Sequence, residues 1–268
     1  MSRWTGKSVK YLATRAAVRL LGAVGIHPRS WAPAPPKLEL LKPLDEHTRS
    51  RLLSMYRSEP QLGADGQPHP IGNVAGMSPE EGMTIYQLCL AAKPKATLEI
   101  GLAFGYSTLY FLAALAKNKQ GTHTAVDPLQ SSIFFGVGAL LAKTSLKENG
   151  LKPDSFELIE ERSDRVAVDL ARAEAKFEVI FIDGNHRFDD VLTDFYLCAP
   201  LCAIGGYVIL HDMWMSSIHT AAGFIRTNRS DFEWRPSDAG NLAVFKKVAE
   251  DQRDWRHFRS FKMFGDQG

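Results

Sequence analysis

Two apolar runs of the chain are each followed by side chains that can bind a cation or carry a proton. One run ends at Asp183, with His186 three residues further on, and the other ends at His211 and Asp212. Apolar runs of this kind are typical of parallel strands buried on both faces, whose carboxyl ends meet at one edge of a sheet. We therefore expect Asp183, His211 and Asp212 to converge there, where carboxylates and imidazoles can bind a metal ion or transfer a proton.

A glycine-rich turn is the clearest sign of a ligand site. A short apolar strand carrying Glu99 runs into a turn with Gly101 and Gly105, and a helix follows. Glycines let the backbone approach a ligand closely, and the free N–H groups at the start of the helix favour polar or anionic groups. The spacing is G-x-x-x-G, not the G-x-G-x-x-G that holds a dinucleotide pyrophosphate. The turn predicts a small ligand other than NAD, and a strand–turn–helix without a ligand is the alternative.

A second strand, over residues 121–127, ends in Asp127. A carboxylate at this position suits the vicinal hydroxyls of a ribose, because it accepts two hydrogen bonds in one plane. Asp-Pro also begins turns, so Asp127 predicts a nucleoside ligand only in combination with the glycine turn.

These motifs resemble those of a known enzyme class. The stretch E-I-G-L-A-F-G-Y-S, from Glu99 to Ser107, resembles motif I of class I S-adenosylmethionine (SAM) methyltransferases, in the form of the catechol and caffeoyl-CoA O-methyltransferases. The stretch F-I-D-G-N-H-R-F-D-D-V-L and the later G-G-Y-V-I-L-H-D resemble bacterial methyltransferases of the Methyltransf_24 type and, more distantly, macrolide and aminocoumarin sugar O-methyltransferases. The resemblance covers about residues 75–247 and implies SAM-dependent methylation of a hydroxyl on a small-molecule or sugar-like acceptor.

The resemblance also implies how SAM is bound. Ser107 lies near the amino-acid part of the cofactor in this scheme, Asp127 holds the ribose, and Ser163 with Asp164 holds the edge of the adenine. Capping of the next helix is the alternative role for Ser163 and Asp164. The residues expected to bind the cofactor are Glu99, Gly101, Gly105, Ser107, Asp127, Ser163, Asp164 and Asp183.

In the resembled O-methyltransferases, the ends of strands 4 and 5 hold a divalent cation that binds the acceptor oxygens. The matching residues here are Asp183, His211 and Asp212. The relatives carry Asp-Asp or Asp-Asn at the end of strand 5, so His211 departs from their pattern. Oxygen ligands suit Mg²⁺, whereas a histidine favours Mn²⁺, Fe²⁺ or Zn²⁺ or abolishes the site. The sequence leaves open whether a cation, Mg²⁺ or Mn²⁺, is required.

Methyl transfer requires that the acceptor be aligned with the methyl group and lose a proton. A histidine suits this role because its ordinary pKa of about 6.5 leaves much of it neutral near pH 7. His186 and His211 are the predicted catalytic bases, and a purely structural role is the alternative for each. Three other functions remain as alternatives: an NAD(P)-dependent oxidoreductase, a noncatalytic membrane-associated binding protein, and an N-methyltransferase.

Strands and helices alternate from Lys95 onward, which predicts an α/β fold with helices on both faces of a mostly parallel sheet. Seven strands are predicted, and the last two form an antiparallel hairpin of the kind that distinguishes the methyltransferase sheet within Rossmann-like folds. The predicted strands cover about residues 96–101, 122–127, 156–160, 178–183, 204–211, 231–236 and 241–247.

Composition divides the chain into four parts. Residues 1–30 read as a basic amphipathic helix, and 31–76 as a proline- and glycine-rich linker with a short helix and a loop. Residues 77–250 read as the methyltransferase domain and 251–268 as a C-terminal tail. The first part contains six basic residues and no acid, so it predicts contact with an anionic membrane surface, packing in a homo-oligomer, or targeting.

The overall charge excludes some partners. The 268 residues carry a net charge of +2 without a basic, aromatic-rich block in the body of the chain, which argues against nucleic acid. No apolar run reaches the 18 or so residues that a membrane-spanning helix needs. The three cysteines lie in apolar surroundings, and the proline between Cys198 and Cys202 argues against a metal pair. Buried, reduced thiols predict a cytoplasmic protein.

Overall fold

A seven-stranded sheet forms the centre of the described part of the chain. The computed structural model describes residues 36–71, 76–262 and Phe264. The strands across it run in the order β3-β2-β1-β4-β5-β7-β6, with β1 to β5 parallel and β7 antiparallel to β5 and β6. Their bounds are β1 (Ala96–Ile100), β2 (Thr122–Val126), β3 (Phe156–Ile159), β4 (Phe177–Ile182), β5 (Cys202–Leu210), β6 (Phe232–Arg235) and β7 (Ala243–Lys247). The predicted fold class is confirmed; the predicted helix over residues 1–30 lies outside the described residues.

Helices cover both faces of this sheet. Because successive side chains of a strand point to opposite faces, Val179 and Phe181 join the apolar core formed with α2 and α3, while Ile180 and Ile182 join the core formed with α5, α6 and α7. The helices are α1 (Glu46–Tyr56), α2 (Pro79–Ala92), α3 (Tyr106–Asn118), α4 (Val137–Glu148), α5 (Ser163–Arg172), α6 (Phe188–Cys198) and α7 (Ser216–Asn228). The two cores leave the carboxyl ends of the strands as the edge available for a site.

The strand order reverses beside β1, where open α/β sheets bind ligands. Ile100 at the end of β1 lies opposite Val126 of β2 on one side and Ile182 of β4 on the other. The next residue, Gly101, has φ +96°, and a Cβ atom added there would lie 2.2 Å from the carbonyl oxygen of Asp183. Only glycine therefore lets the turn after β1 pass this close to the end of β4.

Residues 60–71 are more ordered than the loop that the sequence predicted. Two short strands of two residues each, Gln61–Leu62 and Pro68–His69, pair as an antiparallel hairpin. The imidazole of His69 is hydrogen-bonded to Asp65 and stacks on Phe135, in the loop after β2, with ring centroids 4.0 Å apart. A stretch rich in proline and glycine has no hydrophobic periodicity from which such short strands could be predicted. The hairpin depends on the contacts of His69 with Asp65 and Phe135.

Two further expectations concern membrane-spanning helices and the state of the cysteines. Within the described residues, no helix has both the length and the apolar character needed to span a membrane. The side chains of Cys89, Cys198 and Cys202 are buried and free, so the predicted thiols form no disulfide.

Candidate functional site

Two carboxylates and an imidazole meet at the carboxyl edge of the sheet. Asp183 follows β4, and Asp212 lies two residues beyond the end of β5. The Nε2 atom of His186 lies between them, 2.9 Å from Oδ2 of Asp212 and 3.3 Å from Oδ1 of Asp183. One ligand atom from each of these residues lies within 4.8 Å of the others, close enough for one metal ion. We call Asp183, His186 and Asp212 the edge cluster.

The edge cluster differs from the predicted metal set in one residue. The prediction named His211 with Asp183 and Asp212, whereas the group whose ligand atoms converge contains His186 instead. His211 is adjacent, with Nδ1 3.0 Å from Oδ1 of Asp183, but it is 4% exposed and its Nε2 lies 3.4 Å from Glu81. The two histidines differ in burial: His186 contacts both carboxylates from the partly exposed loop after β4, whereas the buried His211 contacts them from inside the protein, with Nδ1 3.6 Å from Oδ1 of Asp212. A cation bound by Asp183, His211 and Asp212 stays a prediction.

The carboxylates around both histidines favour the protonated imidazoles. Burial lowers the pKa of His186, but its hydrogen bonds to Asp183 and Asp212 outweigh this and raise it to about 9. Burial likewise lowers the pKa of His211, and attraction to Asp183 raises it well above the ordinary value. The protonated form of both imidazoles is therefore favoured near pH 7 while no cation is bound, and the role of either histidine as the catalytic base stays a prediction.

Two further residues of this site, Glu81 and Asn241, were not predicted from the sequence. Glu81 in the first turn of α2 accepts a hydrogen bond from the backbone N–H of Ser78 at 2.5 Å and also faces Nε2 of His211. Asn241, just before β7, donates to Oδ1 of Asp212 at 3.3 Å. Glu81 forms a capping box with Ser78, and the S-x-x-E spacing of these residues predicts only the start of a helix, because it reports local contacts. No sequence signal points to Asn241, which reaches Asp212 because β7 pairs with β5.

A tryptophan borders the edge cluster on its solvent side. The indole Nε1 of Trp214 donates to Oδ1 of Asp212 at 2.8 Å, and 46% of the residue is exposed. An indole held in this way presents an apolar face beside the charged cluster.

The glycine turn is held by a buried polar network. Glu99 is fully buried and accepts hydrogen bonds from Ser107, from Thr108 at 2.5 Å and from Nε2 of His123 at 3.0 Å. Gly105 is the N-cap of α3. Glu99 and Ser107 therefore fix the start of α3 from inside the protein, which differs from the predicted direct contact with a cofactor. The carboxylate oxygens of Glu99 are already occupied by the two hydroxyls and the imidazole. His123 was not predicted as part of this network, because only the pairing of β1 with β2 brings it next to Glu99.

Asp127 lies beside this turn, at the end of β2. Its Oδ2 accepts a hydrogen bond from the backbone N–H of Ala103 at 2.7 Å, and its Oδ1 accepts one from Leu129 at 2.8 Å. Burial raises the pKa of Asp127, and these two hydrogen bonds act in the opposite direction. Each carboxylate oxygen has a second lone pair, so the residue retains acceptor capacity for a ligand.

Ser163 and Asp164 both have partners within the protein. The hydroxyl of Ser163 donates to Oδ1 of Asp194 at 2.6 Å, and Asp164 is paired with Arg162. The N-cap of α5 is Arg162, so the alternative role of Ser163 as the N-cap is wrong. Contact of Ser163 and Asp164 with adenine stays a prediction.

Replacing Asp194 by asparagine is expected to stabilise the protein above about pH 6 but not near pH 4. Burial raises the pKa of Asp194 to about 6 although the hydrogen bond from Ser163 lowers it, so ionisation of this carboxyl costs free energy in the folded state. The cost is absent below the unfolded-state pKa of about 3.9 and complete above about 6, where it amounts to roughly 2–3 kcal/mol. Thermal unfolding of the unaltered protein and of Asp194→Asn at about pH 4 and pH 8 measures this cost. An equal change in Tm at the two pH values would contradict the prediction.

Comparison with known proteins identifies the segment that carries these features. Residues 98–213, which include the glycine turn, Asp127 and the edge cluster, match a family model described as a methyltransferase domain. The predicted enzyme class, a class I methyltransferase, is thereby confirmed, and the strand order agrees with it.

Solved structures share the fold of this methyltransferase domain. The O-methyltransferase TomG from Streptomyces achromogenes, involved in tomaymycin synthesis and solved with SAM, is 20% identical; the alignment covers 76% of this chain and 91% of TomG, with a TM-score of 0.55. The cofactor-bound Rv0187 from MTB is 16% identical, with 81% and 99% covered and a TM-score of 0.57. CalS11, a TDP-rhamnose 3'-O-methyltransferase of calicheamicin biosynthesis, is 12% identical, with 62% and 76% covered and a TM-score of 0.51. No curated protein sequence matches the chain.

Proposed function

We propose that this methyltransferase transfers the methyl group of SAM to a hydroxyl of a small-molecule or sugar-like acceptor. The observation that carries the proposal is the edge cluster, which lies next to the glycine turn where β1 and β4 end. Negative and hydrogen-bonding groups at this position can hold a polar acceptor beside the cofactor. The structures of TomG, solved with SAM, and of the sugar O-methyltransferase CalS11 support both halves of the proposal.

The protein's part in such a reaction is mainly alignment. The methyl group of a sulfonium is already activated, so the acceptor oxygen must lie in line with it and lose its proton. The glycine turn and the start of α3 would hold the amino-acid part of SAM, and Asp127 the ribose. The exposed face of Trp214 would form one wall of the acceptor site beside Asp212. The G-x-x-x-G spacing and the methyltransferase match leave no support for the NAD(P) alternative.

The edge cluster fits a divalent cation. Asp183 and Asp212 supply carboxylate oxygens, and burial, which raises their pKa, is outweighed by the neighbouring histidines, which lower it. The imidazole of His186 makes the donor set better suited to Mn²⁺, Fe²⁺ or Zn²⁺ than to Mg²⁺. A cation bound here would polarise the acceptor hydroxyl and favour loss of its proton. His186 would then bind as a neutral ligand, and Glu81 would keep His211 oriented toward Asp183.

Replacing Asp127 by asparagine is expected to weaken SAM binding by about 10–100-fold, because hydrogen bonds to a charged group contribute roughly 1.5–3 kcal/mol. Asparagine also sets an N–H₂ group against one of the two backbone N–H donors that Asp127 now satisfies. Calorimetric titration with SAM measures the effect. The matched control is Asp154→Asn, an exposed carboxylate before β3, which is expected to bind SAM normally. Equal affinities in both variants, with both folded, would refute the cofactor site.

We also propose that residues 1–30 contact an anionic membrane surface, as their six basic residues and absence of acids indicate, or else pack in a homo-oligomer; cytoplasmic location is part of the same proposal. Replacing Arg3, Lys7 and Lys10 by glutamine is expected to reduce flotation of the full chain with phosphatidylglycerol vesicles in a salt-sensitive manner. Unchanged flotation would exclude a membrane role for these cations, and a loss of self-association instead would favour the oligomer.

A further inference from the structure

The C-terminal segment, residues 251–262, presents two large aromatic side chains to solvent. Trp255 is 88% exposed and Phe258 is 66% exposed, the two highest values among large apolar side chains in the described ranges. Single exposed apolar residues are ordinary, but two aromatic rings three residues apart on one segment are unusual for a surface that meets only water.

This exposure is built into the fold, because the segment is fixed along α7. Asn228 at the end of α7 donates to the carbonyl of Arg259 at 3.0 Å and accepts from its backbone N–H at 2.7 Å. Further along, the rings of Phe224 and Phe261 lie 5.6 Å apart. A Cβ atom at Gly223 would lie 2.3 Å from the carbonyl oxygen of Lys262, so the segment lies against the helix backbone itself. Phe261 faces the helix, while Trp255 and Phe258 are held outward.

Positive charge surrounds the two outward rings. Residues 251–262 contain four basic side chains and two acids, Asp251 and Asp254. Arg253 is paired with Asp251 and Arg256 with Asp254. Arg259 and Lys262 are exposed, so the segment keeps an excess of positive charge at its surface.

We propose that residues 253–262 dock on the surface of an anionic lipid bilayer. Tryptophan and phenylalanine rings insert at the level of the lipid headgroups, and arginine and lysine side chains are attracted to anionic lipids. The interleaving of rings and cations on an irregular segment matches such a surface, which needs no shape complementarity. The inference does not depend on the proposed methylation, and it concerns a segment separate from residues 1–30.

The orientation of α7 determines what docking does to the catalytic crevice. This helix begins just after the edge cluster and ends at Asn228, and its 13 residues span about 20 Å. Arg259 contacts the far end of the helix, so Trp255 and Phe258 lie at the end of the domain away from Asp212. A bilayer at the C-terminal segment therefore leaves the crevice open to solvent, and SAM affinity is expected to be the same with and without vesicles.

The test is co-sedimentation of the full chain with phosphatidylcholine vesicles that contain or lack phosphatidylglycerol. The double variant Trp255→Ala/Phe258→Ala is expected to bind anionic vesicles about tenfold more weakly. Arg256→Gln/Arg259→Gln is expected to lose about fivefold per cation at low salt, since each cation near the surface contributes about 1 kcal/mol. The control is Phe188→Ala, which removes a 39% exposed ring from the first residue of α6, on the carboxyl side of the sheet.

Three outcomes would overturn the proposal. The first is that the unaltered chain does not bind anionic vesicles. The second is that Trp255→Ala/Phe258→Ala binds as tightly as the unaltered chain, which would assign vesicle binding to the intact residues 1–30. The third is that the aromatic variant loses self-association in sedimentation velocity but not vesicle binding, which would make the segment an interface between copies of the chain. Because SAM titration is not part of the readout, failure here leaves the proposed methylation untouched.

Discussion

Replacement of Asp212 by asparagine is expected to weaken Mn²⁺ binding at least about 100-fold and methyl transfer by about 10²–10⁴-fold. Asp212 has φ +60°, a left-handed conformation that asparagine tolerates, so the backbone at this position is kept. What changes is the charge: one of the two carboxylates of the edge cluster becomes a neutral amide. Removal of bound cations with EDTA is expected to suppress turnover to a similar extent.

Electron paramagnetic resonance and calorimetry with Mn²⁺ alone measure the first effect and need no acceptor. Turnover is followed as S-adenosylhomocysteine formed from SAM in the presence of catechol as a probe hydroxyl acceptor. The matched control is Asp189→Asn, an exposed carboxylate in the first turn of α6 that is paired with Arg187. Unchanged Mn²⁺ affinity in Asp212→Asn would exclude the edge cluster as a cation site. Full turnover after EDTA treatment would show that methyl transfer proceeds without a metal.

Replacement of Gly101 by alanine is expected to lower the free energy of unfolding by about 3–4 kcal/mol. The new Cβ would lie 2.2 Å from the carbonyl oxygen of Asp183, and overpacking against backbone costs about 1–3 kcal/mol or more. The left-handed backbone at φ +96° adds about 1–2 kcal/mol for a residue with a Cβ. The turn after β1 and the end of β4 must then separate, which also disturbs the position of Asp183.

Urea unfolding of this variant is compared with that of Gly150→Ala. Gly150 has φ +65° but no atom within 4 Å of the added Cβ, so it isolates the cost of the backbone conformation. The control is expected to lose only about 1–2 kcal/mol. Equal losses in both variants would mean that contact with Asp183 contributes nothing to the role of Gly101. A larger side chain at Gly101 cannot separate cofactor binding from folding, for the same steric reason.

The architecture could be predicted because it depends on repeated local signals. Apolar runs such as the one from Phe177 to Ile182 alternate with helical segments, and this pattern alone indicates a parallel sheet covered on both faces. The convergence of Asp183 and Asp212 followed as well, since parallel strands end at one edge. Neither conclusion requires knowledge of how any side chain is oriented.

The partners of individual side chains could not be predicted in this way. Glu99 was expected to face a ligand, but it points into the protein, where it meets His123 from the neighbouring strand. Ser163 was expected at the adenine or at a helix cap, and its hydroxyl instead meets Asp194, 31 residues away. These contacts depend on the packing of one layer on another, which has no signature in local spacing.

The sequence by itself determined the class of fold, the edge of the sheet at which the candidate site lies and the two carboxylates at that edge, because strand ends and chain order decide all three. Only the tertiary structure decided which histidine completes the edge cluster and which residues support it. His186 and the buried His211 both contact the two carboxylates, the convergent group being the one with His186, and Glu81 and Asn241 reach the site from α2 and from the segment just before β7. The physical reason is that donor geometry depends on side-chain direction and on contacts between distant segments, and these arise only when the layers pack together.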